Sequence, residues 1–343
     1  MSGGPAPGSA GAGASPGSTS DIRTEGFEEA LGSSFIISDM TAKQIRDRLQ
    51  GIIPPLATPF DRNGDVDEGA FRANLERYIG IGLAGVMVAG TTGEGPLLTA
   101  EERLRLTALA RKAVRPTELV ITGTGLESTR ETIHLSREAI KSGADAVLVL
   151  SPWYYKAKMD GPALLAHYRA VADALRAPLL IYSIPQCTGV RIPLETVAAL
   201  ARHPNIVGIK ESSGDLAYVR SILRHAPPRF RVFSGSLQIL PDVLRAGGAG
   251  GILSQADFVP ELCVAFYEAF RHGRRKQARD LFTRLLPLAT EITIKYGPSG
   301  VKAAMQVAGY HAGSPRGPLL PVSGSARRAI ARTLEMGRAG LAY

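Results

Sequence analysis

The sequence predicts an α/β fold, a (β/α)8 TIM barrel with a small helical extension at its C-terminus. Three observations predict it: eight short apolar runs, an amphipathic stretch between each run and the next, and a length of 343 residues, which suits one large domain. The runs are Ile52–Ala57, Gly85–Ala89, Leu119–Thr122, Ala146–Leu150, Leu179–Tyr182, Ile206–Ile209, Arg231–Phe233 and Gly251–Leu253. They are too continuously apolar to be half-solvated, as expected of parallel strands covered on both faces. Between them lie patterns such as Glu101–Ala110, where apolar residues return at helical spacing. Alternation of this kind builds βαβ units. An open doubly wound sheet would need a Gly-rich phosphate turn directly after its first strand. Here that strand ends Ala57-Thr-Pro-Phe60, which cannot make the turn.

After the eighth run about 90 residues remain, reading as helices over Glu261–Arg271, Lys276–Tyr296, Ser299–Val307 and Ser323–Arg338. That is more than one closing helix. At the other end, residues up to about Ser20 are almost all Gly, Ala, Ser and Pro, a composition that cannot offset its ordering entropy by burial. The segment has neither a basic nor an apolar region of a secretory signal, and its first arginine is Arg23. The expected organisation is a disordered tail over 1–45, a barrel over 46–265 and a helical extension over 266–343.

Composition narrows the function. Apolar residues make up 45% and charged residues 21%, as in a globular protein. The net charge of +9 sits partly in helical runs such as Arg271–Lys276 and Arg327-Arg328. Without interleaved aromatics these read as solvated helix faces rather than a nucleic-acid surface. Cys187 and Cys263 have no metal-ligand spacing around them, which fits a reducing cytoplasm and no zinc site. No stretch reaches membrane-spanning length.

Barrel enzymes carry their chemistry at the C-terminal ends of the strands. Those ends are Thr58, Gly90-Thr-Thr-Gly-Glu94, Gly123-Thr124, Ser151-Pro152, Tyr182, Lys210, Ser234-Gly235 and Ser254. Lys210 closes the run Ile206-Val-Gly-Ile-Lys210. Desolvation at such a place lowers an amine's pKa and frees it to attack a carbonyl, unless the side chain merely reaches solvent at the rim. Tyr182 ends the preceding strand. A phenol beside an amine can shuttle protons, although a core tyrosine would look the same. The loop Gly90-Thr-Thr-Gly-Glu94 offers backbone N–H groups and two hydroxyls to a carboxylate, or is a plain βα turn.

Taken together, Gly90-Thr-Thr-Gly-Glu94, Tyr182-Ser-Ile-Pro185 and Gly208-Ile-Lys-Glu211 resemble the dihydrodipicolinate synthase / N-acetylneuraminate lyase family of class I aldolases, over about Ile52 to Val322. The resemblance implies that Lys210 forms a Schiff base with pyruvate or another 2-oxo acid, and that Tyr182 relays protons. It implies that Thr91 and Thr92 bind the carboxylate, with Thr91 joining the relay. Tyr154 would finish that relay in a neighbouring subunit, with Tyr155 as the adjacent candidate. The backbone carbonyl of Ile252 would contact the bound acid. Thr58, Gly93, Ser212 and Cys187 complete the expected substrate-binding set. No metal or organic cofactor is implied, and the default assembly is a homotetramer, a dimer of dimers.

The aldehyde partner is less fixed. Dihydrodipicolinate synthases carry an arginine in a Tyr-x-x-Pro-x-Arg-Thr-Gly pattern, whereas this chain reads Tyr182-Ser-Ile-Pro-Gln-Cys-Thr-Gly189. Cysteine cannot form a bidentate pair with a carboxylate. Gly123-Thr-Gly-Leu-Glu-Ser-Thr129, Tyr154–Met159 and His203–Gly208 are similar to the 4-hydroxy-2-oxoglutarate aldolases, although those tend to have Ser-Asn at Thr91-Thr92. Lys156, Lys158 or Arg191 are candidates for holding a distal carboxylate. The expectation is therefore a 4-hydroxy-2-oxoglutarate aldolase first and a 4-hydroxy-tetrahydrodipicolinate synthase second. A sugar-acid aldolase or dehydratase comes third, and a non-enzymatic 2-oxo-acid sensor stands outside the enzyme class.

Overall fold

The computed structural model describes residues 1, 3, 4 and 41–339. The chain divides into a unit of residues 1–35 and a unit of residues 36–343, and the described fold belongs to the second. The expected disorder of the tail therefore lies mostly outside the described residues. Within the span assigned to it, Ala42–Arg48 forms helix α1, started by a capping box between Thr41 and Gln44.

Eight strands follow: β1 (Gly51–Ile53), β2 (Gly85–Val88), β3 (Leu119–Gly123), β4 (Ala146–Leu150), β5 (Leu179–Ser183), β6 (Ile206–Glu211), β7 (Arg231–Ser234) and β8 (Gly250–Ile252). Each falls on one of the eight apolar runs. All pairings are parallel, and β8 pairs with β1. The remaining seam, β1 to β2, is closed by main-chain bonds from Ala84 N to Ile52 O and from Met87 N to Pro54 O, both 3.0 Å. The expected (β/α)8 barrel is the observed one.

The intervening helices are α2 (Glu68–Tyr78), α3 (Ala100–Ala113), α4 (Thr129–Lys141), α5 (Gly161–Asp173), a short α6 (Pro185–Thr188), α7 (Leu194–Leu200), α8 (Leu216–His225) and α9 (Leu240–Arg245). Asp67, Thr99, Ser128, Asp160 and Asp215 cap five of them by accepting an N–H bond in the first turn. Inside the barrel, Ile53, Met87, Ile121, Leu148, Leu180 and Phe233 form one apolar cluster. Ile45 and Leu49 join it beside Leu119 and Ala146, the first residues of β3 and β4, so α1 plugs the N-terminal end. The opposite end is left for chemistry.

The extension comprises α10 (Pro260–Arg271), which runs across the 265/266 division expected from the sequence, then α11 (Arg275–Leu288), α12 (Lys295–Val307) and α13 (Gly324–Arg338). The single helix expected over 276–296 is instead α11 followed by a π-helical turn, Ala289–Ile294. A kink follows at Gly297, with φ 56° and ψ −144°. Pro298 brings no N–H to the helical ladder there, and only glycine adopts Gly297's backbone without strain.

Candidate active site

The strand registers decide which side chains meet. Leu150, Tyr182, Lys210 and Phe233 are successive register partners across β4 to β7. Tyr182 and Lys210 thus stand at one height at the barrel's C-terminal end. Both are 4% exposed. The Lys210 Nζ lies 4.4 Å from the centroid of the Tyr182 ring and 4.0 Å from Met87 Sδ. Burial drives the Lys210 amine down from the ordinary lysine value to about 7, while the nearby Asp257 and Cys187 pull it back up. A large fraction of this amine is therefore neutral and nucleophilic near neutral pH.

The Tyr182 hydroxyl and Thr91 Oγ1 are 3.1 Å apart. Burial pushes the phenol up, and its hydrogen bond to Thr91 acts in the opposite direction. The phenol stays protonated and able to pass a proton along this bond. Thr91 sits in the loop after β2, whose two flanks, Ala89 and Glu94, both have φ 56°. They are the non-glycine residues with positive φ among the described residues. Each such conformation costs about 1–2 kcal/mol, which the surroundings of the loop must offset. Gly93 permits a close approach: a Cβ there would lie 2.6 Å from Leu56 O.

A cavity of about 460 Å³ opens above these groups. Thr91, Thr92, Tyr182, Lys210, Ser212 and Ile252 line its barrel side. Gln186, Cys187, Ser236, Gln238 and Gln255 line its flank, and Ala289, Thr293, Ile294, Gly297, Pro298 and Val301 its outer wall. Lys210 is the charged side chain among the lining residues; no arginine is present there. A larger hollow, formed by Arg274, Arg275, Lys276 and Arg284, is open to solvent and holds none of the strand-end residues.

Most residues expected from the sequence gather here: Lys210, Tyr182, Thr91, Thr92, Ser212, Ile252 and Cys187 line one space. Thr58 and Gly93 do not line it. The Thr58 hydroxyl donates to the Gly93 carbonyl at 2.7 Å, with Thr58 only 1% exposed, so the pair braces the loop from beneath. Tyr154 and Tyr155 also lie outside the cavity, 75% and 69% exposed, with their rings edge to face. Their turn is held by Glu127, whose carboxylate accepts the N–H groups of Trp153 and Tyr154.

Four buried groups had no assigned role in the sequence reading. Asp257, after β8, accepts the Ala57 N–H at 3.0 Å, and burial pushes its carboxyl up to about 8. Glu211 follows Lys210 and accepts N–H and O–H bonds from Ser213, fixing the turn that carries Ser212. Burial raises its carboxyl as well. Glu94 pairs with Lys302 of α12 at 2.6 Å. Burial moves Lys302 down to about 8, against the pull of Glu94. A carboxylate beside an apolar run, as at Asp257, was the available signal. Lys302 gave none, because its partner lies over two hundred positions earlier.

The chain is similar to known proteins over most of its length. Residues 48–336 match the Dihydrodipicolinate synthetase family. A 4-hydroxy-tetrahydrodipicolinate synthase of Exiguobacterium sp. is 38% identical over 287 residues, covering 83% of this chain and 97% of the relative. The structure of the 4-hydroxy-tetrahydrodipicolinate synthase from Methylacidiphilum fumariolicum SolV superposes with a TM-score of 0.80 at 33% identity, covering 84% of this chain and 96% of that one. YagE from E. coli K12, a prophage protein of the dihydrodipicolinic acid synthase family solved in complex with pyruvate, gives a TM-score of 0.80 at 29% identity, covering 84% and 98%. With its barrel, its buried strand-end lysine and its hydroxyl-lined loop, the chain belongs to the dihydrodipicolinate synthetase family, as a class I carbon–carbon lyase.

Proposed function

We propose that Lys210 condenses with the ketone of pyruvate and that the enamine formed from it makes a carbon–carbon bond to an aldehyde. The observation that carries this reading is the buried Lys210 amine against the ring of Tyr182, whose hydroxyl is hydrogen-bonded to Thr91. The amine adds to the carbonyl carbon, and the carbinolamine loses water to give an iminium. Tyr182 and Thr91 carry the protons these steps need. Thr92 and the backbone of the Gly90–Glu94 loop take the carboxylate, and Ile252 closes the floor beneath it. Loss of a C3 proton gives the enamine, whose C3 attacks the aldehyde carbon. Hydrolysis of the product iminium returns the free amine; where the aldehyde carries its own amino group, attack of that group on the same carbon expels Lys210 and closes the ring. Run backwards, the same steps cleave a 4-hydroxy-2-oxo acid and release pyruvate.

For the aldehyde we take aspartate semialdehyde, which makes the chain a 4-hydroxy-tetrahydrodipicolinate synthase. The relatives, themselves 4-hydroxy-tetrahydrodipicolinate synthases, support this over the 4-hydroxy-2-oxoglutarate cleavage ranked first from sequence. One observation keeps that cleavage as the second reading. Cys187 lines the cavity where the synthase pattern has arginine, and no arginine lies elsewhere in the lining. The sugar-acid reaction and the sensor have no observation that favours them. Tyr154, exposed in one chain, fits a role in a partner's site and hence the proposed homotetramer. No helix among the described residues is long and apolar enough to cross a membrane.

The test is to treat the protein with borohydride in the presence of pyruvate and map the peptides by mass. A reduced pyruvyl adduct on Lys210 is expected, and an unmodified Lys210 in folded protein would end this mechanism. Parallel assays with pyruvate plus aspartate semialdehyde and with 4-hydroxy-2-oxoglutarate then separate the two readings.

A further inference from the structure

The C-terminal helices reach into the barrel loop that carries Thr91 and Thr92. Lys302 on α12 and Glu94 at the end of that loop form an ion pair of 2.6 Å, their side chains 1% and 0% exposed. The second Glu94 oxygen, Oε2, accepts the backbone N–H of Arg316 at 2.8 Å. Lys302 also donates to the Ser314 carbonyl at 2.9 Å. Arg316 is in turn anchored on the barrel side by a two-point pair with Glu102, at 2.6 and 2.7 Å. One carboxylate thus ties the loop to two separate segments of the extension.

Stability alone is a poor account of this pair. Burying two charges costs solvation that their attraction barely repays, and packed apolar side chains would hold the segments together as well or better. What a buried pair supplies in addition is a fixed geometry. Glu94 lies three residues after Thr91 and holds a left-handed φ of 56°. Release of its carboxylate would let the loop relax towards ordinary backbone angles and loosen the donors that Thr91 and Thr92 offer a carboxylate, an arrangement that bound substrate would draw back together. Val301, the neighbour of Lys302, lines the same cavity, so α12 meets both the substrate space and the loop.

We propose that Glu94 and Lys302 are positioning residues: their ion pair holds Thr91 and Thr92 where a 2-oxo acid's carboxylate binds, and so makes the affinity for that carboxylate depend on the C-terminal extension. This rests on the role given above to Lys210 and the Thr91-Thr92 loop.

The experiment compares the parent enzyme with Glu94→Gln and with the double variant Glu94→Gln/Lys302→Met, in which no buried charge is left without its partner. Melting temperature, KM and kcat for pyruvate, and borohydride trapping at limiting and saturating pyruvate are measured on each. The double variant is expected to raise KM for pyruvate about tenfold while kcat falls less than threefold, with full trapping recovered at saturation. Glu94→Gln alone keeps the side chain's shape and the acceptor for the Arg316 N–H but leaves Lys302 buried without its partner; it is read in place of the double variant if that one fails to fold, and should raise KM severalfold. A KM within twofold of the parent in the folded variants, whatever happens to the melting temperature, would reduce the pair to a structural contact and overturn the proposal. That outcome is distinct from failure of the functional reading, in which the parent itself forms no Lys210 adduct and both fall.

Discussion

Tyr182 and Lys210 are register partners on β5 and β6, and the Lys210 nitrogen stands 4.4 Å from the centre of the Tyr182 ring. The contact places an amine and a phenol at one height above a sealed barrel core. It also sets the conditions under which the amine can react.

The first consequence is a pH dependence. Burial lowers Lys210 to about 7, so its neutral fraction grows as pH rises through that value. The kcat/KM for pyruvate should climb about tenfold per pH unit below it and level off above. Initial rates between pH 5 and 9 decide this, and a profile that is flat across pH 7 would contradict an amine depressed by burial.

A second expectation concerns the proton path. Tyr182→Phe keeps a ring beside the amine and deletes the hydroxyl bonded to Thr91. The loss in kcat should be about 10²–10⁴-fold, the usual contribution of a positioned acid–base group. Thr91→Val should act on the same step, and the double variant should lose much less than the product of the two single effects. Steady-state kinetics on the three variants supply the cycle, and fully multiplicative losses would separate the two residues.

Cys187 makes a third, sharper test. An arginine at this site adds a charged, bidentate donor to a wall that holds none. If the aldehyde brings a carboxylate, Cys187→Arg should raise kcat/KM for aspartate semialdehyde by about tenfold or more, consistent with about 1.5–3 kcal/mol for a charged hydrogen bond. A drop for this aldehyde, with pyruvate trapping intact, would show that its carboxylate is not held beside position 187.

The brace beneath the loop can be tested by stability. Thr58→Val leaves the Gly93 carbonyl without its 2.7 Å donor in a buried setting. The expected cost is about 1–3 kcal/mol. A fall in melting temperature of a few degrees should follow, and an unchanged melting curve would mean that the bond contributes nothing.

Much of this architecture was legible in the residues because parallel barrel strands are buried on both faces and declare themselves as apolar runs. Lys210 was visible as a charge ending such a run, and Tyr182 by its place on the strand before it. What escaped depends on distance along the chain. Thr58 looked like a site residue because it ends a strand, yet its hydroxyl is spent on Gly93. Lys302 lies inside an amphipathic helix and looks like any helical lysine until Glu94 is brought against it. The π-helical turn over 289–294 follows no periodicity that a helical pattern would reveal.

The outer wall of the cavity carries one more implication. The groups that would handle the 2-oxo acid come from strand ends of the barrel, whereas Ala289, Thr293, Ile294, Gly297 and Pro298 come from a single stretch of irregular helix outside it. That wall can therefore change shape without touching Lys210, Tyr182 or Thr91. Its exchange between related chains should alter which second reactant fits the cavity while pyruvate trapping on Lys210 persists, provided that Lys302, a few positions further on, is kept.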